Sequence, residues 1–173
     1  MIRLQRATEA DHADVVALTN LAFRGTGPRA SWNVESIIAG DRINLALLRE
    51  DLAGKPDSRL LLWRDDEGEL QGHVWLEPAE AGAWYLGLLT VRPDRQDQKL
   101  GRTLLTAAED FAREHGAQRI RMTVINLRDT LIAWYERRGY RVTGETRPFP
   151  YGDDRFGRPR RDDLAFLVLE RAL

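Results

Sequence analysis

An apolar run from Ala83 to Val91 leads through a charged loop into an amphipathic helix, and a second strand follows. No other feature of the chain restricts its fold as much. The run is apolar at nearly every position, which predicts a strand covered on both faces in the middle of a sheet. Leu100 to His115 carries the stripe Leu104, Ala108, Phe111 and Ala112, with Glu109 and Arg113 as an i,i+4 pair. Gly116 stops that helix, and Arg119 to Ile125 alternates Ile120, Met122 and Val124 inward. Such a strand–helix–strand unit joins two parallel strands by a right-handed crossover.

The flanks fill in the rest. Ile2 to Arg6 reads as a strand, and Thr8 with Asp11 as a capping box before the stripe Val15, Leu18, Ala22. Helices are predicted from Trp32 to Ala39, ended by Gly40, and from Asn44 to Ala53. Arg59 to Arg64 and Leu70 to Leu76 form a hairpin around Asp65-Asp66-Glu67-Gly68. Leu127 to Arg138 reads as a helix on Leu127, Leu131 and Trp134, ended by Gly139. Tyr140 to Thr146 and Leu164 to Leu169 are late strands around a loop rich in Pro, Gly, Asp and Arg. The expected fold class is α/β, a mixed sheet of about six or seven strands with helices on both faces. With 173 residues and no linker, 1–173 reads as one domain.

Composition removes several chemistries. No cysteine is present, so disulfides, thiolate nucleophiles and Cys-based metal sites are excluded. His12, His73 and His115 are not at metal-ligand spacing, so no metal is expected. Ser31, Ser36 and Ser58 lie outside any Gly-x-Ser-x-Gly elbow. The 26 basic and 27 acidic residues leave a net charge of -1, which gives no global attraction for nucleic acid. No signal peptide and no membrane-length apolar run is seen, so the expectation is a cytoplasmic protein with no membrane partner, monomeric or homodimeric.

The chemistry concentrates in Val91-Arg92-Pro93-Asp94-Arg95-Gln96-Asp97-Gln98-Lys99-Leu100-Gly101-Arg102. A loop entering a helix N-terminus aims unpaired N–H groups at one point, where the helix dipole favours an anion. Gly-x-x-x-x-Gly-Lys-Ser/Thr is absent, and Gly101 alone makes no dinucleotide fingerprint. Gln96 to Gly101 resembles the Gln/Arg-x-x-Gly-x-Gly/Ala pyrophosphate loop of GNAT N-acetyltransferases. Trp134-Tyr135-Glu136-Arg137-Arg138-Gly139-Tyr140 is similar to that family's Tyr-x-x-x-Gly-Phe/Tyr run. Two positions depart from the pattern. Lys99 stands where the family's first glycine is usual, and Arg128 where Asn is frequent. If position 99 needs φ > 0, a lysine there costs about 1 kcal/mol.

The resemblance implies acetyl-CoA as acyl donor and an amine as acceptor. It implies a sheet splayed between Ala83–Val91 and Arg119–Ile125, with the pantetheine arm in the gap. Leu89, Thr90 and Val91 would hold that arm, with a Leu89 N–H stabilising the oxyanion. Gln96, Asp97, Gln98, Lys99, Leu100, Gly101, Arg102 and Thr103 would take the pyrophosphate, with Asn126 and Arg128 as further cofactor contacts. Tyr135 is the implied general acid. No strand carboxylate matches the base used by some relatives, so Glu77 at the end of the strand Leu70 to Leu76 is the next candidate, with Glu145 and Asp153 behind it. Phe149, Tyr151 and Phe156 are expected to wall the acceptor site, and Asp153 or Asp154 to attract a cationic acceptor. A non-catalytic acyl-CoA-binding sensor on the same fold is the alternative.

Overall fold

The computed structural model describes residues 1–26, 30, 32 and 34–173, with the side chains of Gln96 and Asp97 left outside the description. The elements are β1 (Leu4–Arg6), α1 (His12–Arg24), β2 (Ile38–Ala39), α2 (Leu45–Gly54), β3 (Arg59–Arg64), β4 (Leu70–Pro78) and β5 (Ala83–Val91). They continue with α3 (Leu100–Glu114), β6 (Arg119–Ile125), α4 (Asp129–Glu136), β7 (Arg141–Pro148), β8 (Arg158–Pro159) and β9 (Ala165–Ala172). Seven strands form one sheet in the order β1-β3-β4-β5-β6-β9-β7. Among the described residues every pair in it is antiparallel except β5–β6, which is parallel.

Strand alternation assigns each sheet face to its own helices. Leu60 and Leu62 of β3 pack with Val15 of α1 and Leu48 of α2. Leu61, one residue out of phase, packs on the opposite face with Leu104, Leu105 and Ala108 of α3 and Ile132 of α4. Local signals fix the helix ends. Asn44 caps α2 by accepting from the Leu47 N–H at 2.9 Å. Thr8 and Asp11 close the capping box, with the Thr8 N–H donating to Asp11 Oδ2 at 2.8 Å.

Two sequence expectations need correction. The helix expected from Trp32 to Ala39 does not form; within it, Asn33 lies outside the described residues. Its end is β2, which pairs antiparallel with β8 through Ile38–Pro159 and Ala39–Arg158. Its backbone groups bond across the fold, the Glu35 N–H to Phe23 O at 2.9 Å and the Arg160 N–H to Ile37 O at 2.8 Å. The helix expected from Leu127 starts at Asp129, and Leu127 is exposed; Ile132 and Tyr135 are its buried residues.

Candidate active site

The site begins where β5 and β6 part. They pair at Ala83–Arg119, Trp84–Ile120 and Tyr85–Arg121 and nowhere beyond among the described residues. On its other side β5 pairs with β4 through Trp75–Gly87 and His73–Thr90, so Val74 alone faces both Leu88 and Leu89. The extra residue is a β-bulge, which bends a strand and sharpens its twist. Leu88 carries it with φ 49°, a left-handed conformation worth about 1–2 kcal/mol of strain for a residue with a Cβ. Gly87 is required beside it, because a Cβ there would lie 2.9 Å from the Tyr85 ring. Leu88 and Leu89 therefore have no register partner in β4 or β6.

The charged loop delivers a helix start to the same gap. Pro93–Gln98 is a 3-10 stretch, and Lys99 turns the chain with φ 58°, ψ 27° into α3. The lysine thus occupies the strained position anticipated from sequence. The first helical bond is Thr103 N–H to Lys99 O at 3.1 Å. The amides of Leu100, Gly101 and Arg102 precede it with no acceptor inside the helix, and the Lys99 side chain does not cap them. An anion is the natural partner for three such donors. Gly101 brings the helix close to Trp134, whose ring would lie 3.5 Å from a Cβ there. A cavity of about 280 Å³ runs past Val91, Lys99, Gly101, Arg102, Trp134 and Arg138. The Arg138 guanidinium stacks 3.7 Å above the Trp134 ring.

A second cavity of about 240 Å³ occupies the splay itself, between Leu86–Leu89 of β5 and Met122–Ile125 of β6. Leu89, Leu131 and Tyr135 line both cavities, so Tyr135 stands at their junction. Its ring is fixed by edge contacts with Trp134 at 5.0 Å and Tyr140 at 5.6 Å. Burial pushes its phenol pKa up, so it stays protonated across the working range of pH. The far wall is aromatic, with Phe23, Phe149, Phe156 and Phe166. It is also charged. Glu35 bonds Arg24 at 2.6 Å and Arg128 at 3.2 Å, and Arg42 faces the same space.

The expected residues sort by place. Leu89, Val91, Lys99, Gly101, Arg102 and Tyr135 line the first cavity, and Arg128 the second. Leu100 and Thr90 are buried beside them, the Thr90 hydroxyl donating to Leu88 O at 2.9 Å. The Thr103 hydroxyl donates to Lys99 O at 3.2 Å, on a different surface. Gln96, Asp97 and Gln98 belong to the 3-10 stretch before α3.

Other candidates stand elsewhere. Asn126 ties β6 to β9, donating to Asp163 O at 3.1 Å and accepting from the Ala165 N–H at 3.1 Å. Glu77 lies outside both cavities; Lys55 holds one oxygen at 2.9 Å and Trp75 Nε1–H the other at 3.1 Å. Glu145 pairs with Arg121 and Arg147 on β7, and Asp153 caps a short 3-10 turn through the Arg155 N–H at 3.1 Å. Tyr151 is exposed, with its hydroxyl donating to Arg161 O and accepting from the Leu164 N–H. The expected cation-attracting aspartates are thus replaced by guanidiniums. Arg42, Glu35 and the bulge at Leu88 had no signal in the sequence.

Comparison with known proteins follows the same line. Residues 24–140 match the model of the acetyltransferase (GNAT) family. The chain is 29% identical over 144 residues to a mycothiol acetyltransferase of Propionibacterium freudenreichii subsp. shermanii, covering 82% of this chain and 43% of that protein. It spans less than half the length of the curated relatives it matches. The ribosomal-protein-alanine N-acetyltransferase of Brucella melitensis superposes with a TM-score of 0.68 at 21% identity, covering 99% of this chain and 100% of that one. A nourseothricin acetyltransferase superposes with a TM-score of 0.65 at 23% identity, covering 98% and 97%. The splayed strands, the open helix start and the family match agree: this chain belongs to the GNAT acetyltransferase family.

Proposed function

We propose that the protein transfers an acyl group, acetyl, from acetyl-CoA to a primary amine of a small molecule or peptide by direct attack. The observation that supports this reading is that the two cavities adjoin, sharing Leu89, Leu131 and Tyr135 in their walls. One cavity opens on the amides that start α3, which have no acceptor inside the helix and suit a diphosphate; the other opens on the aromatic-walled space between the splayed strands. Bound acetyl-CoA supplies the thioester carbonyl. Leu100, Gly101 and Arg102 hold the diphosphate by their N–H groups, and Lys99 adds a cation beside it. Leu89, unmatched in register, offers the N–H that stabilises the oxyanion, a contribution of about 3 kcal/mol for one such donor. Tyr135 donates to the departing sulfur.

The acceptor ammonium must lose a proton. Among the described residues the carboxylate that lines the acceptor cavity is Glu35, and both its oxygens are held by arginines. Water therefore carries that proton, and positioning carries much of the rate. The same occupied carboxylate favours a second reading, a module that binds acyl-CoA without turnover.

Two measurements test the proposal. CoA at about 100 times its dissociation constant is expected to add about 2.7 kcal/mol to stability, read as a rise in Tm. Thiol release from acetyl-CoA is then followed across amino acids, polyamines, aminoglycosides and peptide N-termini. Absence of any stabilisation by CoA sinks both readings; stabilisation without release on any amine leaves the binding module.

A further inference from the structure

Arg42 lines the acceptor cavity, and among the described residues no carboxylate is bonded to its guanidinium. It is half-buried, with its guanidinium 4.8 Å from the Phe156 ring centroid and 5.7 Å from that of Phe23. The backbone that carries it is pinned to α1. Asn20 Oδ1 accepts from the N–H groups of Arg42 at 2.8 Å and Ile43 at 3.1 Å, and Asn20 Nδ2 donates to Ile43 O at 2.9 Å. Among the described residues no carboxylate pairs with the guanidinium and no acceptor bonds it. Asp51, the other nearby carboxylate, is held by Arg155 at 2.8 Å. Glu35 is shared between Arg24 and Arg128, so three arginines face one carboxylate.

A half-buried guanidinium with no bonded acceptor is incompletely compensated, which favours an oxyanion entering the cavity. Stacking on Phe156 fixes the guanidinium's face and leaves its N–H edge to receive a planar, bidentate oxyanion. The cavity, about 240 Å³, lies below the usual range for drug-sized ligands. Phe149 and Phe166, with ring centroids 5.6 Å apart, give it an apolar wall. Excess positive charge also disfavours a polycation.

We propose that Arg42 binds a carboxylate on the acceptor, and that the acceptor is a free amino acid with an apolar side chain. This rests on the acyl-transfer reading: the amine meets the donor at Leu89, and the carboxylate anchors on Arg42 with Arg128 beside it.

The test uses product pairs, so it needs no turnover. The CoA-saturated protein is titrated calorimetrically with N-acetyl-leucine, N-acetyl-methionine and N-acetyl-phenylalanine, and with the C-terminal amide of each. At least one acid is expected to bind ten-fold or more tightly than its amide. In Arg42→Gln that preference falls below threefold while CoA affinity is unchanged. Arg42→Lys keeps the charge without the planar fork; it loses several-fold of the preference and decides the matter if the glutamine variant does not fold. Equal binding of acid and amide, binding of neither, or a preference that survives both substitutions overturns the proposal. Thiol release is scored separately on leucine, methionine and phenylalanine. Carboxylate-selective binding without release on any of the three, or on the wider amine panel, would keep the Arg42 site and remove the transferase.

Discussion

Leu89 of β5 and Tyr135 of α4 each line both cavities, so the wall the cavities share sets a strand residue without a register partner beside a buried phenol. Burial pushes the Tyr135 pKa up, so the phenol is protonated, and in the proposed transfer its part is that of a proton donor. Tyr135→Phe keeps the ring contacts with Trp134 and Tyr140 and removes the hydroxyl alone. Turnover is expected to fall ten-fold or more, with CoA affinity within twofold of the parent. Steady-state thiol release and CoA titration read the two quantities. A variant as active as the parent removes Tyr135 from the chemistry.

Glu35 is the hub of the acceptor wall. Its carboxylate receives Arg24 and Arg128, and all three side chains are largely withdrawn from solvent. Arg24 also donates to Gly40 O at 3.0 Å and Phe156 O at 2.6 Å, joining α1 to the two loops that close the cavity. Glu35→Gln leaves two guanidiniums without their counter-charge. A loss of about 3–5 kcal/mol is expected, seen as a lower urea midpoint at constant slope. An unchanged midpoint would mean that the cluster contributes nothing to stability.

The strand–helix–strand unit was legible because its signals are local. The apolar run gave β5, the stripe gave α3, and Arg119–Ile125 gave β6 to the residue. The loop before α3 was legible for the same reason, as a strand exit feeding a helix start, whereas Tyr135 was singled out by the family resemblance. What escaped depends on contacts distant in sequence. Nothing near Ile38 announces its pairing with Pro159. Arg42 follows a glycine and an aspartate in an ordinary polar loop, and its role appears only when Phe156 is folded beneath it. Leu88 was hidden because a strained position held by leucine carries no glycine to mark it.

That strain makes its own prediction. Leu88 packs against the α1–α2 side of the sheet, yet its φ is 49°. A β-branched residue tolerates that conformation worse than an unbranched one. Leu88→Val should therefore destabilise by about 1 kcal/mol more than Leu88→Ala, although valine retains more apolar surface. Packing alone predicts the reverse order. Urea unfolding of the two variants side by side decides between them.

The last prediction concerns pH. The Thr19 hydroxyl donates to Val15 O at 2.7 Å, so its oxygen accepts from His73 Nε2–H at 2.9 Å. His73 is then the neutral tautomer with its proton on Nε2, and its buried Nδ1 has no partner. A proton added at Nδ1 would be carried in the core, where the carbonyls of Leu88 and Val15 offset only part of the cost of burial. Burial accordingly pulls the pKa of His73 down from 6.5 to about 4. The unfolded chain binds this proton more readily than the folded one. Stability from this source is complete above pH 6.5 and is lost as pH falls toward 4, by about 3 kcal/mol in all. His73→Gln costs stability at pH 7 but flattens the decline between pH 6.5 and 4. Urea midpoints of parent and variant at half-unit steps give the two slopes, and parallel curves would place the acid sensitivity elsewhere.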